Sequence, residues 1–422
     1  MRNLLLVSLF AILLSDIMLG LGLTLAPGLS LKNAMLYVLF VALVLEFSVG
    51  RRNPLQETWA LHIRWLLLIS YATFTWLAIV LLGIHRGYSG LESFISLKGQ
   101  LVDLFIFLLV YLYGPKDTST TLSLIRWLIT VLIIVNIITM IDVFNVPDLG
   151  IIIDRQDGRL TGPFNEVNQY GAILIFIIPI TAGLALASKG QLKAFYGFGA
   201  LAAILLLGLT VSRGSYAGLF VGGAWALYLV REHVRRETVI KGAIAGIVVL
   251  CLVAAIIAYQ NPEGFLDKFS FTGVSLYRVS SGRTFFWRQT FTMMSIWPLS
   301  FVTGYGWNAY ATLFLGYGDP HNTYLMYWFN LGLFGLVMYV FIVAWIVRFA
   351  LRSLHTISRE IKPIIIGFIF GLLALHVALF FVGLYASSLF IWALAGATLR
   401  LLVEDLRTEQ TKVLAEDVSG DS

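Results

Sequence analysis

The chain has 422 residues, of which 59% are hydrophobic and 12% charged, with a mean hydropathy of +0.87. A soluble globule carries roughly 25% charged residues, so this balance excludes one and calls for a polytopic membrane protein. The net charge of +6 does not call for nucleic acid, because the basic residues fall mostly in short loops between apolar runs, where topology accounts for them.

Apolar runs near the ~20 residues that cross a hydrocarbon core predict an all-α fold of about twelve transmembrane helices. The first covers Leu4 to Leu25 and lacks a small-residue cleavage signature, so it reads as a retained helix. Lys32 to Val49 follows and stops at Arg51 and Arg52. Trp65 to Ile84 comes next, then Leu97 to Tyr113 with a Gly114-Pro115-Lys116-Asp117 breaker, then Leu122 to Val143. A polar segment, Phe144 to Glu166, carries Asp154, Arg155, Asp157, Arg159 and Gly162-Pro163 ahead of a sixth span, Asn168 to Ala187. The stretch Ala194 to Val230 would reach roughly 55 Å as one helix, against a core of about 30 Å. It must fold back, and its polar break is Ser212-Arg213-Gly214-Ser215, which places a tight turn there. Ile240 to Ala258, Thr323 to Val347, Pro363 to Val382 and Ser387 to Val403 complete the set. The predicted organisation is one membrane domain, 1–403, with a large loop at 259–321 between helices nine and ten, and a polar, disordered cytoplasmic tail at 404–422. The single Cys251 cannot form an intrachain disulfide.

With both termini inside, roughly nineteen Lys and Arg fall on the cytoplasmic side and roughly ten outside. The inside group includes Arg231, Arg235, Arg236, Lys241, Arg348, Arg352, Arg359 and Lys362. Arg159, Arg213 and the 259–321 loop with Arg278, Arg283 and Arg288 then face outward, against the charge bias, so something other than orientation keeps these arginines there. Guanidinium forks hold phosphate oxygens in pairs, and several of them at an outer membrane surface suit a lipid-linked diphosphate. The competing reading is a set of interfacial arginines paired with lipid phosphates or with Asp154, Asp157 and Asp267.

Arg213 stands apart, because a charge at a tight hairpin between apolar helices is costly unless it faces a polar cavity. If Ser280 or Ser281 caps a helix running toward Trp297, Arg283 and Trp287 share a face, while Arg288 points about 140° away from Arg283. That geometry favours Arg283 over Arg288 as a lining residue. Asp319-Pro320 reads as an N-cap followed by proline at the first helical position, which puts His321 in the opening turn of the tenth span. The positive end of that helix disfavours imidazolium and leaves a ring able to take a proton as general base for a sugar hydroxyl. An interfacial anchor is the plainer alternative for His321. Asp16, Asp103, Asn136 and His376 sit in apolar stretches and face a bundle interior or a cavity. No His and carboxylate cluster has metal-ligand spacing, and no glycine-rich nucleotide loop is present, so neither a metal nor another cofactor is expected.

Taken in order, Gly158-Arg159-Leu160-Thr161-Gly162-Pro163-Phe164-Asn165 through Asn168, Ser212-Arg213-Gly214, Gly282-Arg283 with Trp287, Pro298-Leu299 with Gly304-Tyr305-Gly306, and His321-Asn322-Thr323-Tyr324 with Gly332 and Gly335 resemble the O-antigen ligase superfamily. That group also holds O-antigen polymerases and protein O-oligosaccharyltransferases. The resemblance implies a GT-C-like, metal-independent glycosyltransferase of the bacterial inner membrane that takes a saccharide from undecaprenyl diphosphate at the periplasmic face. It assigns Arg213 and Arg283, with Arg159 beside them, to the diphosphate and His321 to catalysis; Arg288 is a further diphosphate candidate from its place in the same outer loop. Lipid A-core is the acceptor expected of a ligase, and a second carrier-linked saccharide that of a polymerase. A transporter of lipid-linked saccharide is the alternative from another class, but transporters place substrate charges near the midplane on broken helices rather than in one outer loop.

Overall fold

Inside a bilayer each backbone must satisfy its own hydrogen bonds, so apolar runs of membrane length become helices. The computed structural model describes residues 2–19, 24–26, 29–48, 58–83, 106–143, 155–156, 159–164, 166–237, 282–313, 320–384 and 387–420, with scattered positions in 90–94 and 240–255. The N-terminal helices are α1 (Arg2–Met18), α2 (Leu31–Ser48), α3 (Trp59–Leu82), α4 (106–113) and α5 (Thr118–Val143). Next come α6 (Val167–Ala187), α7 (Gly190–Thr210), and a return helix made of α8 (Arg213–Ala217), a π-helical stretch (Gly218–Gly222) and α9 (Gly223–Val230). The C-terminal part has α10 (Arg283–Ile296), α11 (Ser300–Thr303), α12 (Ala309–Leu313), α13 (Thr323–Ser353), α14 (Lys362–Ala378) and α15 (Ser388–Gly420). Among the described residues the strands form just two small antiparallel hairpins, Thr24–Ala26 with Leu29–Ser30 and Arg155–Gln156 with Arg159–Leu160.

The chain is a multi-pass membrane protein. Five described helices, α3, α5, α6, α7 and α13, are long and apolar enough to cross a bilayer, while Leu36–Leu45 and α14 are apolar but shorter. Most of the predicted ninth span and of the loop up to Ser281, including Arg278 and Asp267, lies outside the described residues, as do Asp103, Asp154, Asp157 and Asp319.

Small residues set the centre of the bundle. A Cβ on Gly183 or Gly367 would overlap the backbone carbonyl of Pro363 or Pro179, and one on Gly371 that of Phe176, so α6 and α14 touch backbone to backbone. Gly218 and Gly222 bring the return helix equally close to Ala374 of α14. Without a hydrophobic drive between helices in lipid, such close approach is what makes packing favourable.

Two elements depart from the sequence reading. The tail predicted as disordered is helical: α15 runs unbroken to Gly420. Arg400, fully buried, pairs with Glu404 at 2.8 Å and donates from Nε to the Pro115 carbonyl at 2.9 Å. Arg407 pairs with the same carboxylate at 2.8 Å, and Asp405 accepts from the Ser358 backbone N–H at 2.7 Å. Glu404 and Asp405 at the start of the predicted tail are thus buried partners, most of Thr408 to Glu416 is exposed, and the three- and four-residue spacing of the ion pairs supports a helix.

The second is a break in α13 at Gly332, whose φ of 66° lies in the left-handed region. The break frees the carbonyls of Phe329 and Asn330, which accept from the Tyr305 and Gly306 N–H groups, each at 2.8 Å. A methyl on Gly332 would meet both the unfavourable φ and the Val302 carbonyl. Gly332→Ala is therefore expected to destabilise the fold by at least about 3 kcal/mol, since backbone neighbours cannot yield as a side-chain tip can. Thermal unfolding in detergent checks it, and an unchanged midpoint would contradict this packing.

Candidate active site

The hairpin predicted at Ser212-Arg213 is present. α7 stops at Thr210, Val211 turns the chain with a φ of 48°, and Arg213 opens α8. A β-branched residue in that conformation is strained and persists only where its surroundings hold it. Here they do. The Val211 N–H and the Tyr216 hydroxyl both donate to the Gly208 carbonyl, at 3.1 and 2.7 Å. Arg159 donates from Nε to the Thr210 carbonyl at 3.0 Å and from Nη2 to the Val211 carbonyl at 3.2 Å.

Arg159 thus sits where a helix end welcomes a cation, and its fork clamps the Arg213 turn. The sequence offered it as a diphosphate ligand; in the structure its Nε and Nη2 are engaged by the Arg213 turn. Lysine has a single ammonium and cannot reproduce two separated bonds. Arg159→Lys is expected to cost about 1.5–3 kcal/mol of stability, the range for a hydrogen bond from a charged donor. Thermal unfolding reads this, and an Arg159→Lys protein as stable as the parent would remove the clamp.

The opening turn of α6 braces the hairpin from a second direction. Glu166 caps α6, accepting from the Gln169 N–H at 2.7 Å and from Asn168 Nδ2 at 2.8 Å. Asn168 Oδ1 accepts from the Ser212 hydroxyl at 3.1 Å, and Ser215 donates to Ser212 at 3.0 Å. A Cβ on Gly171 would strike the Ser215 hydroxyl, so that glycine allows the approach. Gln169, fully buried, donates to the Gly383 carbonyl and accepts from Ser387 through its hydroxyl at 3.1 Å and its N–H at 3.3 Å. Sequence reasoning did not single out Gln169. The available signal was a pair of amides opening an apolar span, where polar side chains are retained for a partner.

His321 stands elsewhere than expected. The cap of α13 is Asn322, whose side chain accepts from the Leu325 N–H at 2.9 Å, so His321 precedes the helix instead of lying in its opening turn. Asn caps as well as Asp, and it lies where its oxygen reaches the third N–H beyond it. His321 has a φ of 50°, again in the left-handed region. Thr323 docks the start of α13 by donating its N–H to the Leu379 carbonyl at 2.9 Å and its hydroxyl to the Val382 carbonyl at 3.0 Å.

α10 supplies the third part. It begins at Arg283 after a left-handed Gly282, so glycine occupies the cap position where a serine was expected. The Trp287 indole donates to the Pro320 carbonyl at 3.0 Å, and the Phe286 ring meets the His321 ring edge to face with centroids 6.1 Å apart. Arg283 is half-buried and Arg288 exposed, as the helical period requires if the Trp287 side faces His321.

These parts share one floor. A Cβ on Gly214 would lie 2.9 Å from the Phe381 Cβ and 3.3 Å from Val382 Cγ2, while Thr323 holds the Val382 carbonyl from the other side. The 379–384 turn therefore backs both the Arg213 hairpin and the His321 end of α13, and Gln169 ties it to α6. His376 is accounted for within the core: Nδ1 donates to the Leu372 carbonyl at 2.7 Å and Nε2 accepts from the Tyr339 hydroxyl at 3.2 Å. Asn136 likewise accepts from the Tyr170 hydroxyl at 2.9 Å, and Asp16 is half-buried on α1. Among the described residues no three His, Cys, Asp or Glu side chains are grouped to hold a metal ion.

Residues 198–340 match a family described as O-Antigen ligase. Over that stretch the chain is similar to the O-antigen ligase family. The matched stretch contains Arg213, Arg283, Arg288, His321 and the Gly332 break, and stops short of Arg159 and the α6 clasp. A protein named O-antigen ligase from Salmonella typhimurium strain LT2 is 28% identical over 215 residues, covering 45% of this chain and 48% of that protein. The chain thus spans about half the length of that relative.

Proposed function

We propose that the chain is a membrane glycosyltransferase of the O-antigen ligase type. It moves a saccharide from undecaprenyl diphosphate to lipid A-core at the periplasmic face of the bacterial inner membrane, without a metal. One observation carries the reading: the Arg213 hairpin, the Arg283 helix and His321 are brought to one end of the bundle over the shared 379–384 turn and the Pro320–His321 segment.

In this reading Arg213 and Arg283 hold the diphosphate oxygens and stabilise the charge that grows on them as the bond to the sugar breaks. His321 takes the proton from the acceptor hydroxyl as its oxygen attacks the anomeric carbon. The diphosphate leaves with the bonding pair and needs no proton from a second residue. Displacement in one step inverts the anomeric configuration.

A polymerase of the same superfamily would use the same donor grip with a carrier-linked saccharide as acceptor. Purified protein given the undecaprenyl-diphosphate saccharide and, in parallel, lipid A-core, a second carrier-linked unit or a periplasmic protein separates these readings. Glycosylated lipid A-core is the expected product, and transfer to the carrier-linked unit alone would make the protein a polymerase.

Orientation is tested separately. Cysteines at Thr292 on exposed α10 and at Glu237 beyond α9 are expected to label from opposite sides of the membrane, the first from the periplasm. Labelling from one side would overturn the orientation.

A further inference from the structure

The residues after α10 were read from sequence as part of an outer loop, yet the structure gives them exposed apolar side chains and a corner packed against α13. Ile296, Leu299 and Val302 are 73%, 57% and 58% exposed. A Cβ on Gly332 would overlap the Val302 carbonyl, so this corner lies against the first third of α13. Gly332 is ten residues past the Asn322 cap, roughly 15 Å along the helix at 1.5 Å per residue. With the hydrocarbon edge at the Asn322 cap, that distance is about half the ~30 Å hydrocarbon thickness.

Beside the corner runs an exposed apolar stripe of α13. Leu333, Phe334, Val337, Val340 and Phe341 of α13 are all exposed, at the three- and four-residue spacing of one helix side. Tyr71 of α3 packs its ring on Phe334 at 4.7 Å and donates its hydroxyl to the Thr303 carbonyl at 3.4 Å, while Trp328 donates to the Phe301 carbonyl at 2.9 Å. The corner is therefore wedged between two membrane-spanning helices.

Its backbone obeys the rule for hydrocarbon. Every N–H from Ser300 to Gly306 has a backbone acceptor: the first five bond within the corner and those of Tyr305 and Gly306 to the carbonyls that the Gly332 break releases. A loop in water has no need of such closure, because water satisfies what is left over. In lipid, irregular backbone is tolerated only when it is satisfied by protein.

We propose that residues 296–306 form a re-entrant wedge whose Ile296, Leu299 and Val302 side chains lie among the acyl chains of the leaflet on the His321 side. The wedge anchors α10, so the helix bearing Arg283 is held at headgroup height by lipid contact below it. This inference stands on packing and burial and does not depend on the transfer reaction.

The test uses the full-length protein in lipid nanodiscs, with Cys251→Ser removing the sole native thiol. A polarity-sensitive fluorophore is attached at Ile296→Cys, Leu299→Cys or Val302→Cys, one at a time, with Arg288→Cys on the exposed side of α10 as reference. Labels at the three wedge positions are expected to emit as in an apolar medium, to lose most of their emission in brominated phospholipid, and to resist aqueous iodide. The Arg288 label is expected to do the reverse. Three separate positions guard against one misfolded variant, and folding is checked by gel filtration. Iodide quenching of Leu299 and Val302 labels to the extent seen at Arg288, with no effect of brominated lipid, would overturn the wedge and return the segment to the aqueous loop.

Discussion

His321→Ala is expected to abolish saccharide transfer, by about 100-fold or more, the range over which a positioned base contributes. Protein levels and donor binding should stay close to the parent, because the arginines do not depend on the imidazole. The backbone is left-handed at His321, the Phe286 ring packs edge to face with the imidazole, and Trp287 holds the neighbouring Pro320 carbonyl. Such placement suits a group that must meet a reacting hydroxyl, since geometry governs proton transfer before basicity does. His321→Gln is the finer probe. Glutamine retains polarity and hydrogen bonding but cannot accept a proton to become a cation near neutral pH. Near-parental turnover in His321→Gln would leave His321 as a positioning residue and remove the base.

The second large effect concerns the arginines. Arg213→Lys and Arg283→Lys keep the charge and lose the two-pronged match to phosphate, so each is expected to lower kcat/KM by roughly 10- to 150-fold, the equivalent of one charge-assisted hydrogen bond. Arg288→Lys should retain most activity. The contrast comes from helix geometry: Arg283 shares its side of α10 with Trp287, which reaches Pro320, while Arg288 points to solvent. Steady-state kinetics over a donor titration separates the cases. A sensitive Arg288 beside a silent Arg283 would show that α10 presents its other face to the donor.

Hydrophobic run length sufficed to make the chain a multi-pass helical protein, and one arithmetic conflict, a 37-residue apolar stretch too long for one crossing, located the Arg213 hairpin. The period of the helix separated Arg283 from Arg288 without coordinates. What escaped was long-range. Arg159 looks like any outer arginine until its fork is found on the carbonyls of Thr210 and Val211, some fifty residues away in sequence. Gln169 and Ser387 likewise meet across more than two hundred positions. The cap of α13 was misplaced for a local reason: Asp319-Pro320 and Asn322 both offer cap chemistry, and the choice rests on which side-chain oxygen reaches an N–H, which spacing alone does not fix. The helical tail was missed because Glu404 and Arg407 read as part of a polar tail, while folding pairs Glu404 with both Arg407 and the buried Arg400.

The central claim is that a bond to the carrier diphosphate is broken and remade on an acceptor in one inverting step. The most direct measurement follows a single incubation of the purified protein with undecaprenyl-diphosphate saccharide and lipid A-core, recording the released carrier by mass spectrometry and the new linkage by nuclear magnetic resonance. One undecaprenyl diphosphate is expected to be set free for each saccharide transferred, with the anomeric configuration inverted. A carrier that crosses the membrane with its saccharide still attached would instead make the protein a transporter, and a product with retained configuration would require a covalent intermediate in place of direct attack assisted by His321.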